Sequence, residues 1–187
     1  MRAYLLAFMM AMTLAGTALA GPLEDGVAAY DRGDYATALR LFQPLANGGN
    51  RDAQYRLGIM YGTGQGVPQD YVDARKWYRM AADQGHADAQ NNLGIMYVKG
   101  EGVPQDYVEA HKWFNLAASR YPASEAEKRN TSVKNRDLAA AMMTPQQIAE
   151  AQKLARDWKP TKAAAGLEAS PARDRPPPER APVRGLR

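Results

Sequence analysis

The residue types that most often perform chemistry in proteins are scarce in this sequence. It contains 0 Cys, so it offers no thiolate nucleophile, no disulfide and no cysteine metal ligand. Its 2 histidines, His86 and His111, are not close in the sequence, and neither belongs to a motif such as His-Glu-x-x-His. We therefore expect both histidines to be solvated surface residues, and we expect the protein to hold no metal and no cofactor.

Carboxylates and glycines give no stronger sign of catalysis. Asp83, Glu109 and Glu150 form no recognisable catalytic pair, although folding can bring distant carboxylates together. The glycine run over residues 62–66 has the composition of a phosphate loop, but such loops follow a strand and open a helix. Here the run follows a helical pattern and precedes Val-Pro, which favours a turn that ends a helix. We expect a protein that is not an enzyme.

The sequence contains an internal repeat with a period of 36 residues. An earlier and more degenerate copy shares the same register, with Asp34-Tyr35 in the place of Asp70-Tyr71. Repetition at a fixed period indicates stacked supersecondary units, each of which buries its apolar face against the next. In the two full copies, residues 52–54, 57–61 and 66–72 recur as residues 88–90, 93–97 and 102–108.

Each period is typical of two helices. Ala53, Leu57 and Tyr61 share one helical face, and the following glycines end that helix. Asp70 is a suitable N-cap for a second helix, whose buried stripe takes Ala74, Trp77 or its neighbour Tyr78, and Ala81. The residues that we expect to build both repeats are Leu57, Gly58, Tyr61, Ala74, Trp77, Ala81, Leu93, Gly94, Tyr97, Ala110, Trp113 and Ala117.

The pattern predicts an all-α fold, an α/α solenoid of helix-turn-helix repeats with about eight helices and no strand. The repeats occupy residues 21–120, as a partial copy over 26–51 and full copies over 52–87 and 88–120. Residues 121–159 are expected to form capping helices. Ser124 with Glu127 has capping-box spacing and would open a helix that runs to about Met143, and Thr144-Pro145 would begin another.

The first twenty residues have the features of a cleaved signal peptide. Arg2 precedes an apolar run over residues 5–14, and Ala18-Leu19-Ala20 is a small-x-small cleavage site. The run is short for a bilayer span, so we expect cleavage after Ala20 and no integral membrane segment afterwards. The sequence therefore predicts a periplasmic or secreted protein.

The last 28 residues, 160–187, differ from the rest in composition. They contain 6 of the 12 prolines, no aromatic residue, six basic residues and three acidic ones, and are expected to be disordered. Because the tail carries +3 and Arg2 another +1 of the total +4, residues 21–159 are close to neutral. This balance argues against nucleic-acid binding, and it leaves the basic tail as a weak contact for anionic envelope surfaces.

The repeated motifs resemble a known family. The pattern Leu-Gly-x-Met-Tyr, Gly-x-Gly-Val-Pro-Gln-Asp-Tyr, Ala-x-Lys-Trp, Ala-Ala-x-x-Gly is similar to Sel-1-like repeats, which are related to tetratricopeptide repeats. The resemblance implies an adaptor of bacterial envelopes or signalling that binds partners rather than catalysing reactions. One branch of that family is held by disulfides and linked to penicillin binding, and the 0 Cys of this chain depart from it.

The resemblance also implies a concave groove lined by the first helix of each repeat. We expect a protein or peptide partner of unknown identity to bind there, in the bacterial cell envelope. Met60 and Met96 are open to two interpretations, packing in the core or lining this groove. The alternative function is that of a peptidoglycan-binding or peptidoglycan-modifying envelope protein. The partner-binding residues predicted in the groove are Tyr55, Ile59, Asn91, Asn92, Ile95 and Val98.

Overall fold

A computed structural model describes residues 21–161, which contain eight α-helices, one short 3-10 helix and no β-strand. The predicted signal peptide and residues 162–187 of the predicted tail lie outside the described residues. The all-α prediction is confirmed. The helices are α1 (Pro22–Asp31), α2 (Tyr35–Asn47), α3 (Arg51–Thr63), α4 (Tyr71–Asp83), α5 (Ala87–Lys99), α6 (Tyr107–Arg120), a 3-10 turn (Ala123–Glu125), α7 (Ala126–Ala140) and α8 (Pro145–Asp157).

The helices stack in the order in which they occur. Helices α1 and α2, α3 and α4, and α5 and α6 pack as pairs, and α2 and α4 each pack against the first helix of the following pair. Each element therefore contacts its sequence neighbours, which is the arrangement of a solenoid. The early, degenerate copy forms the first pair, joined by a shorter turn than the later two.

Each pair is closed by an aromatic ring that lies directly on a glycine. A Cβ atom added to Gly58 would lie 2.5 Å from Cδ1 of Tyr78, and one added to Gly94 would lie 2.6 Å from Cε1 of Phe114. In the first pair, Gly26 meets Phe42 at 2.5 Å in the same way. The missing side chain lets the two helices of each pair approach closely.

The repeated polar residues define the helix ends. Asp70 and Asp106 are N-caps whose carboxylates accept hydrogen bonds from the backbone N–H groups two and three residues later, at 2.8–3.0 Å. Gly64 and Gly100 end the first helices with φ of 73° and 74°, a left-handed conformation that glycine adopts without strain. The glycine run is therefore a helix-ending turn, as predicted.

The repeated Asp-Ala-Gln motif joins one pair to the next. Nε2 of Gln54 donates to the carbonyl oxygen of Ala46 at 3.0 Å, and Nε2 of Gln90 donates to that of Ala82 at 3.0 Å. Both glutamines are buried, and both carbonyls lie near the C-terminal end of the preceding helix. Each carbonyl also accepts a backbone N–H, from Gly49 or Gly85, so the glutamine adds a second hydrogen bond at the joint.

Most of the predicted repeat residues are buried, with two exceptions. Tyr61 is half-buried, and so is Trp77. In α4 the buried aromatic is Tyr78, whereas the equivalent of Trp77 in α6, Trp113, is fully buried. The ten that are buried are Leu57, Gly58, Ala74, Ala81, Leu93, Gly94, Tyr97, Ala110, Trp113 and Ala117.

Trp113 is buried among charged side chains as well as apolar ones. The Arg79 guanidinium lies 5.1 Å from its ring centroid, and Nζ of Lys112 lies 4.5 Å from it. The indole Nε1–H donates to Oε2 of Glu109 at 2.9 Å. Trp113 therefore links α4 to α6 through cation–π contacts and satisfies its own polar atom.

The C-terminal helices do not form another repeat pair. Helix α6 packs against α5, α7 and α8, whereas α7 and α8 make little contact with each other. This arrangement surrounds α6 and explains why it buries seven residues, among them His111 and Lys112, whereas α4 buries four. The last two helices thus cap the array by covering its final repeat helix.

The start of α7 differs from the prediction. Ser124 and Glu127 form no capping box, because residues 123–125 make a 3-10 turn and Glu125 precedes the helix without a side-chain cap. Helix α7 also ends at Ala140 rather than near Met143. The Thr144-Pro145 start is confirmed.

The chain beyond α8 folds back onto the repeats. The Arg120 guanidinium lies 4.2 Å from the ring centroid of Trp158. The backbone N–H of Thr161 donates to the carbonyl oxygen of Asp83 at 2.8 Å, at the end of α4. The predicted tail therefore begins at an ordered contact with the array.

The two equivalent tryptophans should differ in their effect on stability. We expect Trp113→Ala to lower the free energy of unfolding by about 3–5 kcal/mol, because it leaves a cavity in the core. Trp77→Ala should cost clearly less, since Trp77 is only half-buried. Urea denaturation followed by circular dichroism measures both, and equal losses would contradict the assignment of Trp113 to the core.

Candidate functional site

The predicted groove residues lie on neighbouring first helices of the array. Tyr55 and Ile59 are on α3, and the other four predicted residues are on α5. All six are half-buried, so each keeps part of its surface accessible. These six side chains differ, however, in how many contacts they make within the protein.

Tyr55 is part of the joint between two repeats. Its ring stacks on the imidazole of His86, with centroids 4.4 Å apart and an angle of 26° between the planes. His86 is the N-cap of α5, where its Nδ1 accepts a hydrogen bond from the N–H of Ala89 at 3.2 Å. On its other side, Nε2 lies 3.4 Å from Oδ1 of Asp52. The expectation of a solvated His86 is therefore wrong.

The environment of His86 favours the neutral imidazole. Burial lowers the pKa of His86, and the nearby carboxylates of Asp52 and Asp88 oppose that effect only in part. A neutral Nδ1 is also what the helix cap requires, because a protonated Nδ1 cannot accept the N–H of Ala89. Neutral His86 therefore stabilises the N-terminus of α5.

The two predicted asparagines are engaged within the protein. Oδ1 of Asn91 accepts hydrogen bonds from Oγ of Ser132 at 2.9 Å and from Nδ2 of Asn135 at 3.4 Å. Asn92 lies beside Tyr78, where burial raises the pKa of the tyrosine hydroxyl and the Asn92 side chain opposes that rise. Because Ser132 and Asn135 belong to α7, the hydrogen bonds of Asn91 connect the capping helix to α5.

Two of the three predicted aliphatic residues, Ile95 and Val98, line an apolar cleft of about 310 Å³, whereas Ile59 lies outside it. Ile95 and Val98 form its α5 side, Tyr107 and Phe114 its floor on α6, and α7 its opposite side. That opposite side carries Leu138 on α7 and Met142 in the turn just after it. Their exposed fractions of 60% and 63% are the highest among the large apolar side chains of residues 21–161. The cleft is therefore bordered by apolar surface that the fold leaves uncovered.

Sequence reasoning missed Leu138 and Met142, although a signal was present. They have the i, i+4 spacing of one helical face in the sequence, with Leu138 on α7 and Met142 in the turn after it, while the buried face of α7 carries the small residues Ser132 and Ala139. Large apolar residues opposite a small buried face indicate an uncovered apolar stripe.

Other residues singled out from the sequence have structural roles. Met60 and Met96 are buried in the two hydrophobic cores, so the core interpretation is the correct one. His111 is 3% exposed, so the expectation of a solvated histidine is wrong there too. Within the described part of the chain, no three His, Asp or Glu side chains come together as metal ligands. None of the helices over residues 21–161 is long and apolar enough to span a membrane.

Family comparison agrees with this repeat geometry. The Sel1 repeat model matches residues 17–50, 51–86 and 87–121, which together are more than half of the chain. The chain belongs to the Sel1 repeat family. The first Sel1 match covers α1 and α2, so the copy that looks degenerate in the sequence is a repeat in its own right. None of the curated proteins matches the sequence.

Two solved structures resemble this Sel1 array. One is a protective antigen of uropathogenic Escherichia coli strains with an SLR fold, at a TM-score of 0.66 and 29% identity. The other is a Sel1 repeat protein from Oxalobacter formigenes, at a TM-score of 0.54 and 32% identity. The alignments cover 73% and 72% of this chain but only 29% and 55% of the other two. The solenoid fold is thereby confirmed.

Protonation of His86 should make the array less stable in acid. Because the folded-state pKa lies below the ordinary value of 6.5, the unfolded chain binds more protons as the pH falls through that value. We expect the free energy of unfolding to rise between about pH 5 and pH 7 and to level off above.

The matched variant is His86→Asn, because Asn50 is the N-cap at the equivalent joint before α3. Urea titrations across this pH range should show a smaller rise for the variant than for the wild type. Some rise should remain, since burial lowers the pKa of His111 as well. An unchanged pH dependence in His86→Asn would contradict the role assigned to His86.

Proposed function

We propose that this Sel1 array is a non-catalytic scaffold that binds an amphipathic segment of a partner protein in the apolar cleft between α5 and α7. Sel1 repeats generally mediate protein–protein interactions, and solenoids present extended concave surfaces for them. The observation that carries the proposal is the pairing of an apolar cleft with the most exposed large apolar side chains, Leu138 and Met142. Uncovered apolar surface of this kind marks interaction sites.

The cleft favours one kind of partner segment. Its volume of about 310 Å³ accommodates one or two large apolar side chains, and Met142 on its rim can adapt its shape to them. Lys99 borders the cleft, and Lys134 lies one turn before Leu138 on α7. We infer that acidic residues flank the apolar anchor of the partner, because they would meet these two ammonium groups.

The other predicted groove residues extend this surface. Ile59 and Tyr55 lie on α3, the preceding first helix, and pack against the same core as Ile95 and Val98. A partner segment anchored between α5 and α7 can therefore continue along the array toward α3. Asn91 supports the surface through internal hydrogen bonds, and Asn92 lies against the buried Tyr78, so we assign both to its framework rather than to direct recognition.

The binding proposal is tested by removing the apolar rim. Leu138→Ser with Met142→Ser should weaken partner binding at least tenfold, which corresponds to about 1.4 kcal/mol. Residues 21–187 serve as bait in an envelope extract, and the captured protein is then purified and titrated by calorimetry. Both side chains are exposed, so the thermal unfolding temperature should stay near that of the wild type.

The matched control is Leu154→Ser on α8, where an exposed apolar residue lies outside the cleft. We expect it to bind the purified partner like the wild type. If the double variant binds as tightly as the control, the cleft is not the partner site. A Lys99→Glu variant should weaken binding to the same partner if acidic residues flank its anchor.

We further propose that the scaffold works in the cell envelope after export. The support is the apolar run over residues 5–14 and the Ala18-Leu19-Ala20 site. Expression of the full chain in a Gram-negative host should give a periplasmic protein whose N-terminus is Gly21, read by mass spectrometry of the intact protein. Recovery of the uncleaved chain in the cytoplasmic fraction would contradict this proposal.

A further inference from the structure

Helices α7 and α8 separate over α6 and leave a second cavity of about 440 Å³. This cavity shares no lining residue with the apolar cleft, and its character is different. Polar and charged side chains dominate its wall, and they come from all three helices. The residues that matter for its chemistry are His111 and Asn115 on α6, Arg136 and Asp137 on α7, and Gln152 and Arg156 on α8.

The α6 side of the cavity departs from the repeat pattern. One period earlier, Arg75 and Arg79 occupy the positions of His111 and Asn115. Nε of Arg75 donates to the carbonyl oxygen of Gly102 at 3.0 Å, and Arg79 pairs with Asp83 at 2.8 Å. The two long arginine side chains of α4, which hydrogen-bond other residues of the array, are thus replaced in α6 by shorter polar side chains. These shorter side chains form the α6 side of the cavity.

The wall of the cavity includes a buried imidazole, that of His111, with a nitrogen that is unpartnered in the described part of the chain. The residue is 3% exposed, and its Nδ1 has no hydrogen-bond partner within residues 21–161. Burial and the Arg136 guanidinium both lower the pKa of His111, and Asp137 opposes them. The imidazole is therefore neutral at neutral pH, with one N–H that can donate to a bound acceptor.

The charged groups of the wall leave an excess of positive charge. Arg136 donates to Oδ1 of Asp137 through Nε at 2.9 Å and Nη2 at 2.8 Å, and its Nη1 reaches Oδ1 of Asn115 only at 3.4 Å. Arg156 lies across from it on α8, is exposed, and forms no ion pair with the rest of residues 21–161. One carboxylate thus faces two guanidinium groups.

We propose that this cavity binds a small organic carboxylate between Arg136 and Arg156. The planar guanidinium of Arg156 suits a carboxylate, Nη1 of Arg136 and the amide of Gln152 can add donors, and Ile148 supplies apolar wall for the body of the ligand. Asp137 opposes a second negative charge, which favours a monocarboxylate over phosphate. The carboxylate comes from a free acid or from the C-terminus of a peptide.

Calorimetric titration of residues 21–187 tests the proposal with four probes. We expect N-acetylalanine to bind and its uncharged amide not to bind, while inorganic phosphate binds more weakly than the acid. N-acetyl-trialanine with a free C-terminus distinguishes the sources: tighter binding than N-acetylalanine assigns the site to peptide C-termini, and weaker binding assigns it to free acids. Equal binding of acid and amide, tighter binding of phosphate, or no binding by either carboxylate probe overturns the proposal.

Variants locate the binding event. Arg156→Gln should weaken binding of the better carboxylate at least tenfold, because it removes charge-assisted hydrogen bonds. Lys153→Gln removes the same charge from an exposed position of α8 outside the cavity and should bind like the wild type. Loss of binding in both variants, or in neither, overturns the assignment.

The imidazole of His111 gives a second readout. Its Cε1–H resonance should shift during titration with the carboxylate, and the pKa of His111 should rise in the complex because an anion favours the imidazolium. Binding that leaves this resonance unchanged places the ligand elsewhere and overturns the proposal. The Leu138→Ser, Met142→Ser variant should keep full carboxylate affinity, so this site and the partner cleft are tested separately.

Discussion

The contact between a glycine and an aromatic ring sets the spacing of the whole array. It occurs in three successive pairs, as Gly26 with Phe42, Gly58 with Tyr78, and Gly94 with Phe114. In each pair the ring occupies the place of a side chain, so any larger residue at the glycine would force the helices apart. Because every pair is stacked on the next, a change in the spacing between the two helices of one pair would also shift the neighbouring pairs.

The joints between pairs follow a different rule from the pair interiors. Pair interiors are apolar, whereas the joints depend on polar side chains that hydrogen-bond the backbone at the ends of helices. Gln54 and Gln90 donate to carbonyls of the preceding helices, and Asn50 and His86 cap the following ones. The joint at His86 differs because its cap can be protonated, which makes one step of the stack sensitive to pH while the step at Asn50 is not.

Both candidate binding surfaces arise where the repetition ends. Helix α6 accepts α7 and α8 in place of one further repeat pair, and the two capping helices spread over it. Their positions produce an apolar cleft beside α5 and a polar cavity over His111. The regular part of the array thus supplies a rigid base, and the capping helices give its end two chemically distinct surfaces.

The sequence by itself determined the helices, their order and their pairing. Its 36-residue period fixes which residues meet, because contacts in a solenoid are between sequence neighbours. The tertiary structure alone decided how α7 and α8 sit, and with them the burial of His111, the engagement of Asn91 and the exposure of Leu138 and Met142. Those outcomes depend on contacts made by α7 and α8, which have no counterpart in the repeats. The repeat pattern therefore cannot predict them. Burial of one face against α6 leaves the opposite face of α7 free, and only the packed molecule shows which residues that face carries.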